Sequence, residues 1–263
     1  MKKIPPLAAS LSLALLAVAM APGAGLAQEI SNLEAGRPVT LEDPVPVSPG
    51  SYSGSFDYAY AVRYDHVDYA GPGFSLVYGF APGFEIGGET RLLTNPRLNS
   101  RRGIGSGDLD LHVLGEVVGE SEGRPGIALR LDALLATGFA SHGTNFVPEL
   151  LLSKSFDTFR IFGNFSSTYI GSTRPGERRN RVSAVVGIAA PPGGGWNTDT
   201  LALVDVYARQ SVEADGKTTV GAELGVKRRI GMQTIFYAGM LSEVAGERTR
   251  IRYRGLLGLT HSF

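Results

Sequence analysis

Thr249 to Phe263, TRIRYRGLLGLTHSF, closes the chain and decides how the rest is read. Side chains of a strand alternate between two faces. Ile251, Tyr253, Gly255, Leu257, Leu259, His261 and Phe263 therefore fall on one face, and Arg250, Arg252, Arg254, Leu256, Gly258, Thr260 and Ser262 on the other. Three arginines at alternate positions do not enter a dry core, because a buried charge without a partner is expensive. The arginine face must meet water, so the apolar face must meet something else. A strand of about 9–11 residues spans a bilayer, which makes lipid the natural neighbour of the apolar face.

The same alternation recurs upstream. Tyr52, Gly54, Phe56, Tyr58, Tyr60, Val62 and Tyr64 oppose a small and polar set that includes Asp57 and Arg63. Phe74 to Phe80 follows, then a turn at Ala81-Pro82-Gly83 and a strand from Phe84 to Leu92. Leu109, Leu111, Val113, Gly115 and Val117 oppose Asp108, Asp110, His112 and Glu116, and in the next strand Ile127, Leu129, Leu131, Ala133 and Leu135 oppose Arg130 and Asp132. Further segments run over 146–155, 159–170, 182–190, 201–209, 219–227 and 234–241 before the closing strand. The count is about twelve, an even number as an up-and-down antiparallel transmembrane β-barrel of a bacterial outer membrane requires. Connections near Ala81, Phe156 and Arg229 are short and alternate with longer polar ones such as 94–105 and 172–181, although 119–125 and 191–198 are long for the short-turn side.

Residues 1–27 carry Lys2 and Lys3, an apolar run from Leu7 to Met20 and a small-residue end. This predicts a secretory signal peptide cleaved between Ala27 and Gln28. The apolar run is shorter than a membrane helix needs. Removing Lys2 and Lys3 leaves 23 basic against 25 acidic residues, a balance that gives no basic patch for nucleic acid. There is no cysteine, which excludes a disulfide frame. The 35 glycines and 15 prolines are spread along the chain, as many short turns require.

Residues 28–50 include Pro38, Pro44, Pro46 and Pro49 and show no sustained periodicity. They predict an extended segment on the periplasmic side, because proline favours extended backbone and donates nothing to a ladder. The mixture of Leu33, Glu34, Val39, Leu41 and Glu42 leaves open a second reading, a plug folded back into the barrel. Residues 51–263 are then the barrel itself.

The terminal Phe263, preceded by apolar residues at alternate positions, resembles the C-terminal strand of bacterial outer-membrane barrels, with His261 departing from the pattern. Tyr253, Leu257, Leu259 and Phe263 would form the signal read by the barrel-assembly machinery. Three further motifs, Asn32 to Pro38, Gly105-Ser106-Gly107-Asp108-Leu109 and Leu135-Ala136-Thr137-Gly138, resemble outer-membrane channel proteins grouped under the meta-cleavage pathway of phenol degradation, with Ala136 where proline is usual. The resemblance implies a barrel of twelve or so strands and passage of hydrophobic or aromatic compounds, with lipid and lipopolysaccharide as surroundings.

Parity assigns Glu85, Glu89, Arg91, Asp108, Asp110, Glu116, Arg130 and Asp132 to the inside of the third to fifth strands, and Arg250, Arg252 and Arg254 to the inside of the last. An acid-rich wall facing an arginine ladder would set a field across a water-filled bore and orient dipolar small-molecule solutes. Alternatively the charges pair across strands and fill the interior, giving a non-conducting structural or interaction barrel. Ser141-His142-Gly143-Thr144-Asn145 weakly resembles the site of outer-membrane lipid hydrolases, but threonine stands where serine is needed and no second motif supplies a base. His66, His112, His142 and His261 lack metal-ligand spacing. No phosphate-binding or dinucleotide loop is present. The expectation is therefore a passive channel with no catalytic residue, metal or cofactor. A soluble periplasmic barrel is the remaining reading.

Overall fold

The computed structural model describes residues 38–63, 66–95, 103–138, 143–193, 196, 199–246 and 253–263. Within them every regular element is a strand. β1 is Tyr52–Arg63, β2 His66–Ala81 and β3 Phe84–Asn95. β4 is built in two pieces, Gly103–Ser106 and Leu109–Val118. β5 is Gly126–Leu135, β6 Asn145–Ser155, β7 Arg160–Tyr169 and β8 Asn180–Ala190. β9 is Thr200–Arg209, β10 Thr219–Arg229, β11 Thr234–Ala245 and β12 Tyr253–Ser262.

Each strand pairs antiparallel with its neighbours in sequence, and β1 pairs with β12, so the sheet closes into a twelve-stranded barrel without an open edge. The closing register runs from Ser53↔Ser262 to Val62↔Tyr253, and Phe263 N donates to Tyr52 O at 2.9 Å. The last strand and the tyrosine-rich first strand are thus paired from end to end.

Alternation sets the two faces. Leu129, Leu224 and Leu257 are 56%, 59% and 56% exposed, and Phe56, Tyr58, Val186, Val204 and Val206 share the outer surface with them. Large apolar side chains left outside on nearly every strand form a patch far beyond what a soluble monomer carries. Their flanking aromatics sit near the strand ends. Tyr52 stacks on Tyr78 with ring centroids 4.5 Å apart, and Phe156 on Phe159 at 4.8 Å, at the end of the barrel that holds the short turns and the chain's last residue. Trp196 joins them by donating Nε1–H to Phe156 O at 3.0 Å. Tyr60, Phe146, Tyr169 and Tyr253 mark the opposite, loop end. An apolar band between two aromatic girdles is the outer surface a bilayer selects.

Three details differ from the sequence reading. β2 begins at His66 rather than Phe74, so residues 66–73 are strand as well. Gly71-Pro72-Gly73 reads as a turn, but proline removes only one donor. The β2–β3 pairing lapses between Ala70↔Thr94 and Gly73↔Arg91, while Pro72 keeps its place opposite Tyr58 on β1. Pro148 does the same on β6, where the pairing to β7 lapses between Phe146↔Tyr169 and Glu149↔Ser166. Secondly, the polar loop expected over 94–105 is shorter. Gly103–Ser106 pairs with Leu92–Asn95, and a break at Gly107-Asp108 shifts the register by one residue before β4 resumes.

The third concerns the segment before the barrel, whose described part follows the second of its two readings, folded back into the barrel, and not the periplasmic one. The described part of 28–50 does not hang outside the barrel mouth; it runs along the inner wall. Val39 and Leu41 are buried among Phe162, Val185, Ala189, Leu201, Leu203 and Ile235. A Cβ on Gly225 would lie 2.7 Å from Pro38 Cγ, and one on Gly239 2.9 Å from Pro38 Cβ, so these inner glycines make room for it. Apolar residues at alternate positions of the segment give it a face to bury, which outweighs its proline content.

Candidate functional site

Among the described residues the ionisable side chains of the strands cluster on the inner wall. On the third to fifth strands the sequence-predicted residues meet as neighbours. Glu85 accepts from Val47 N at 2.7 Å and stands 3.5 Å from His112 Nε2. Glu89 lies in register with Asp110, two carboxylates side by side, and Asp110 Oδ1 is buried without a hydrogen-bond partner. Arg91 is 2.5 Å from Asp57 on β1 and donates to Gly71 O at 3.0 Å. Arg130 is 2.6 Å from Asp132 and 3.1 Å from Glu42 of the N-terminal segment. Its register partner on β6 is Glu149. Glu116 stands at the short-turn rim, where its backbone N–H donates to Gly83 O at 2.8 Å.

Asp108 has a different task from the predicted one. It sits in the break of β4, and its Oδ1 accepts from Gly138 N at 2.9 Å, while Leu109 N donates to Thr137 Oγ1 at 2.8 Å. The two motifs Gly105–Leu109 and Leu135–Gly138 therefore clamp each other at the loop end of β4 and β5.

On the last strand, Arg250 and Arg252 lie outside the described residues. Arg254 reaches Glu223 on β10 at 3.1 Å and is 28% exposed. It forms half of an ion pair rather than one rung of an unpaired ladder. Glu223 also accepts from Thr40 Oγ1 at 2.8 Å and from Thr40 N. Asp205 stands in register beside it, and neither Asp205 oxygen makes a hydrogen bond of normal geometry. The sequence reading places Asp57 on the polar face of the first strand but not among the lumen candidates, and it misses Glu149, Arg160, Asn164, Asp205 and Glu223. The signal is present, since each occupies the inward parity of a strand already recognised.

At the short-turn end, Arg160 gathers the most partners. Its Nη1 reaches Asp43 Oδ2 at 3.0 Å, its Nη2 reaches Glu120 Oε2 at 2.9 Å and Ser153 Oγ at 2.8 Å, and its guanidinium lies 5.1 Å from the Phe162 ring centroid. Glu120, in the turn 119–125, accepts in addition from Ser153 Oγ and Ser155 N. Partial burial would push its carboxyl up, but the Ser155 N–H, the Arg160 guanidinium and the serine hydroxyl outweigh this and hold it below the usual 4.5. A depressed folded pKa contributes stability above the unfolded value that is lost as pH falls through the folded one. The urea midpoint of the parent should therefore drop on acidification below pH 4.5, and Glu120→Gln should flatten that part of the curve. Equal slopes for the two proteins would show that Glu120 makes no such contribution.

Other expectations fall as follows. Tyr253, Leu257 and Leu259 point outward at 44%, 56% and 42% exposure, and Phe263 ends the strand against Gly54. Ala27, Gln28 and His142 lie outside the described residues. Among the described residues no group of His, Asp and Glu is arranged to hold a metal ion.

No protein-family model and no curated protein sequence matches the chain. Solved structures do. An outer-membrane channel from Pseudomonas putida F1 is similar at 11% identity and a TM-score of 0.65, covering 86% of this chain and 100% of that one. The NanC porin is similar at 10% identity and a TM-score of 0.58, covering 79% of this chain and 98% of that one. The KdgM porin is similar at 12% identity and a TM-score of 0.56, covering 80% of this chain and 99% of that one. At such identities the likeness is one of fold. The chain is a closed, all-antiparallel twelve-stranded β-barrel, a fold it has in common with outer-membrane channels and porins.

Proposed function

We propose that this protein is a passive channel of a bacterial outer membrane, exported by its N-terminal signal and inserted by the barrel-assembly machinery, with the short turns on the periplasmic side and lipid and lipopolysaccharide around the apolar band. The observation that carries this reading is the separation of faces: apolar outside on nearly every strand, charged and polar inside. On β3–β6 the inner carboxylates Glu85, Glu89, Asp110, Asp132 and Glu149 outnumber Arg91 and Arg130, whereas on β7–β12 Arg160, Lys227 and Arg254 stand with Asp205 and Glu223; this asymmetry supports a field across the bore that orients dipolar solutes. The solute class implied by resemblance to the phenol-pathway channels is hydrophobic or aromatic; the inner apolar patch of Phe162, Val185, Leu201 and Leu203 fits it once Val39 and Leu41 no longer cover it.

The competing reading is a non-conducting barrel of the cell envelope. It is favoured by one observation, that Arg91, Arg130, Arg160 and Arg254 each have a carboxylate partner within the chain. Planar-bilayer recording of the purified protein separates the two. Discrete current steps are expected, and a membrane that stays silent at every voltage with folded protein inserted would refute the channel.

A further inference from the structure

We infer that Pro38 to Ser48, seated in the inner wall by side chains rather than by the sheet ladder, leaves it as a unit while the barrel stays closed. The functional consequence rests on the channel reading; the release does not.

The bonds that hold the segment are unlike those that hold the barrel. Every rung of the twelve-stranded ladder lies between β1 and β12, and none uses residues 38–48. The segment's backbone is held by side chains instead. Asn164 makes a two-point amide pair with Glu42, accepting from its N–H at 3.2 Å and donating to its carbonyl at 3.0 Å. Glu223 takes both the N–H and the hydroxyl of Thr40. Glu85 takes the N–H of Val47. Two guanidiniums, Arg130 and Arg160, take the carboxylates of Glu42 and Asp43. The wall contributes backbone only at the segment's end, where Gly50 N donates to Gly79 O at 2.7 Å and Pro49 bridges to the same glycine. This is how a protein grips a peptide ligand: backbone polar groups fixed by side chains, with charged and apolar sockets adding selectivity.

Release exchanges these bonds for water without breaking a ladder. The exchange is close to balanced for the neutral Asn164 pair and costs most at the buried Arg160–Asp43 pair, whereas opening the sheet would orphan backbone groups in lipid. The segment is therefore the part of the molecule that moves first, hinged at 49–51. Val39 and Leu41 would uncover the inner apolar patch as they leave.

The chain's lack of cysteine makes a clean test possible. In Val39→Cys, a small maleimide should label the cysteine while the barrel keeps its compact, heat-modifiable form. Asn164→Ala, which removes the two-point pair, should speed labelling about tenfold, the factor that about 1.4 kcal/mol gives in an equilibrium. Labelling only at the rate at which the barrel itself unfolds would overturn the inference.

A lock tests the consequence. Val39 Cγ1 lies 2.9 Å from where a Cβ on Gly225 would stand, and a disulfide needs about 3 Å between a sulfur and the opposite Cβ. The triple variant Pro38→Ala, Val39→Cys, Gly225→Cys, in which the first change removes the ring atom that a Cβ at position 225 would meet at 2.7 Å, should carry several-fold less current when oxidised than after dithiothreitol. Equal currents would refute a role of the segment in conduction. Silence in both forms and in the parent, with labelling still observed, would refute the channel and leave the release standing.

Discussion

Replacing Arg160 with methionine should lower the unfolding free energy by about 3–5 kcal/mol, the cost of removing one partner from a buried ion pair. Arg160 is 5% exposed and Asp43 6%, and Glu120 and Ser153 point at the same guanidinium. Methionine fills much of the volume but takes the guanidinium away from the Asp43 carboxylate, which keeps the Val45 N–H at 3.0 Å and stands against the wall where water reaches it poorly. Arg254→Met is the comparison. Its partner Glu223 is as buried as Asp43, but Arg254 itself is 28% exposed, and Glu223 keeps the two donors of Thr40. Exposure screens the pair, so the loss there should be about 1 kcal/mol. Urea titration of both variants refolded into lipid vesicles measures the difference. An Arg160→Met midpoint within the error of Arg254→Met would mean that the network around Asp43 does not fasten the segment to the wall.

That contrast also marks what the sequence could reveal. The barrel was legible because alternation is a local property: TRIRYRGLLGLTHSF assigns its own faces, and Tyr52 to Tyr64 does the same, so twelve such stretches imply closure without knowledge of any partner. The errors of extent have local causes too. Gly71-Pro72-Gly73 has the composition of a turn, and only its position inside a pair of neighbouring strands holds it extended. The identity of the inner partners was not legible, because it depends on which residues a closed sheet brings opposite one another. Arg254 meets Glu223 across β11, and Arg160 meets Asp43 over 117 residues of sequence. The segment shows the limit most plainly. Proline content argued for an external linker, yet Val39 and Leu41 alternate with Thr40 and Glu42 as a strand's residues do, and the decisive term was an apolar inner patch assembled from β7, β8, β9 and β11.

Leu257→Arg tests the surroundings of the barrel rather than its interior. Leu257 stands in the closing strand opposite Tyr58 and Ala238, 56% exposed and well inside the apolar band. In a bilayer an arginine there must reach past hydrocarbon, and the expected cost is about 2–4 kcal/mol near the midplane. Met232→Arg is the control, since Met232 is 91% exposed in the turn between β10 and β11, outside the band. Its cost should be about 0–1 kcal/mol, as for positions near the interface. The pair of values matters more than either one. In a soluble periplasmic barrel both sites face water, and surface substitutions away from special features change stability by about 0.5 kcal/mol or less. Similar, small effects at the two sites in vesicle-refolded protein would therefore place the apolar face of TRIRYRGLLGLTHSF outside a membrane. A large loss confined to Leu257→Arg requires that lipid, and not water, covers it.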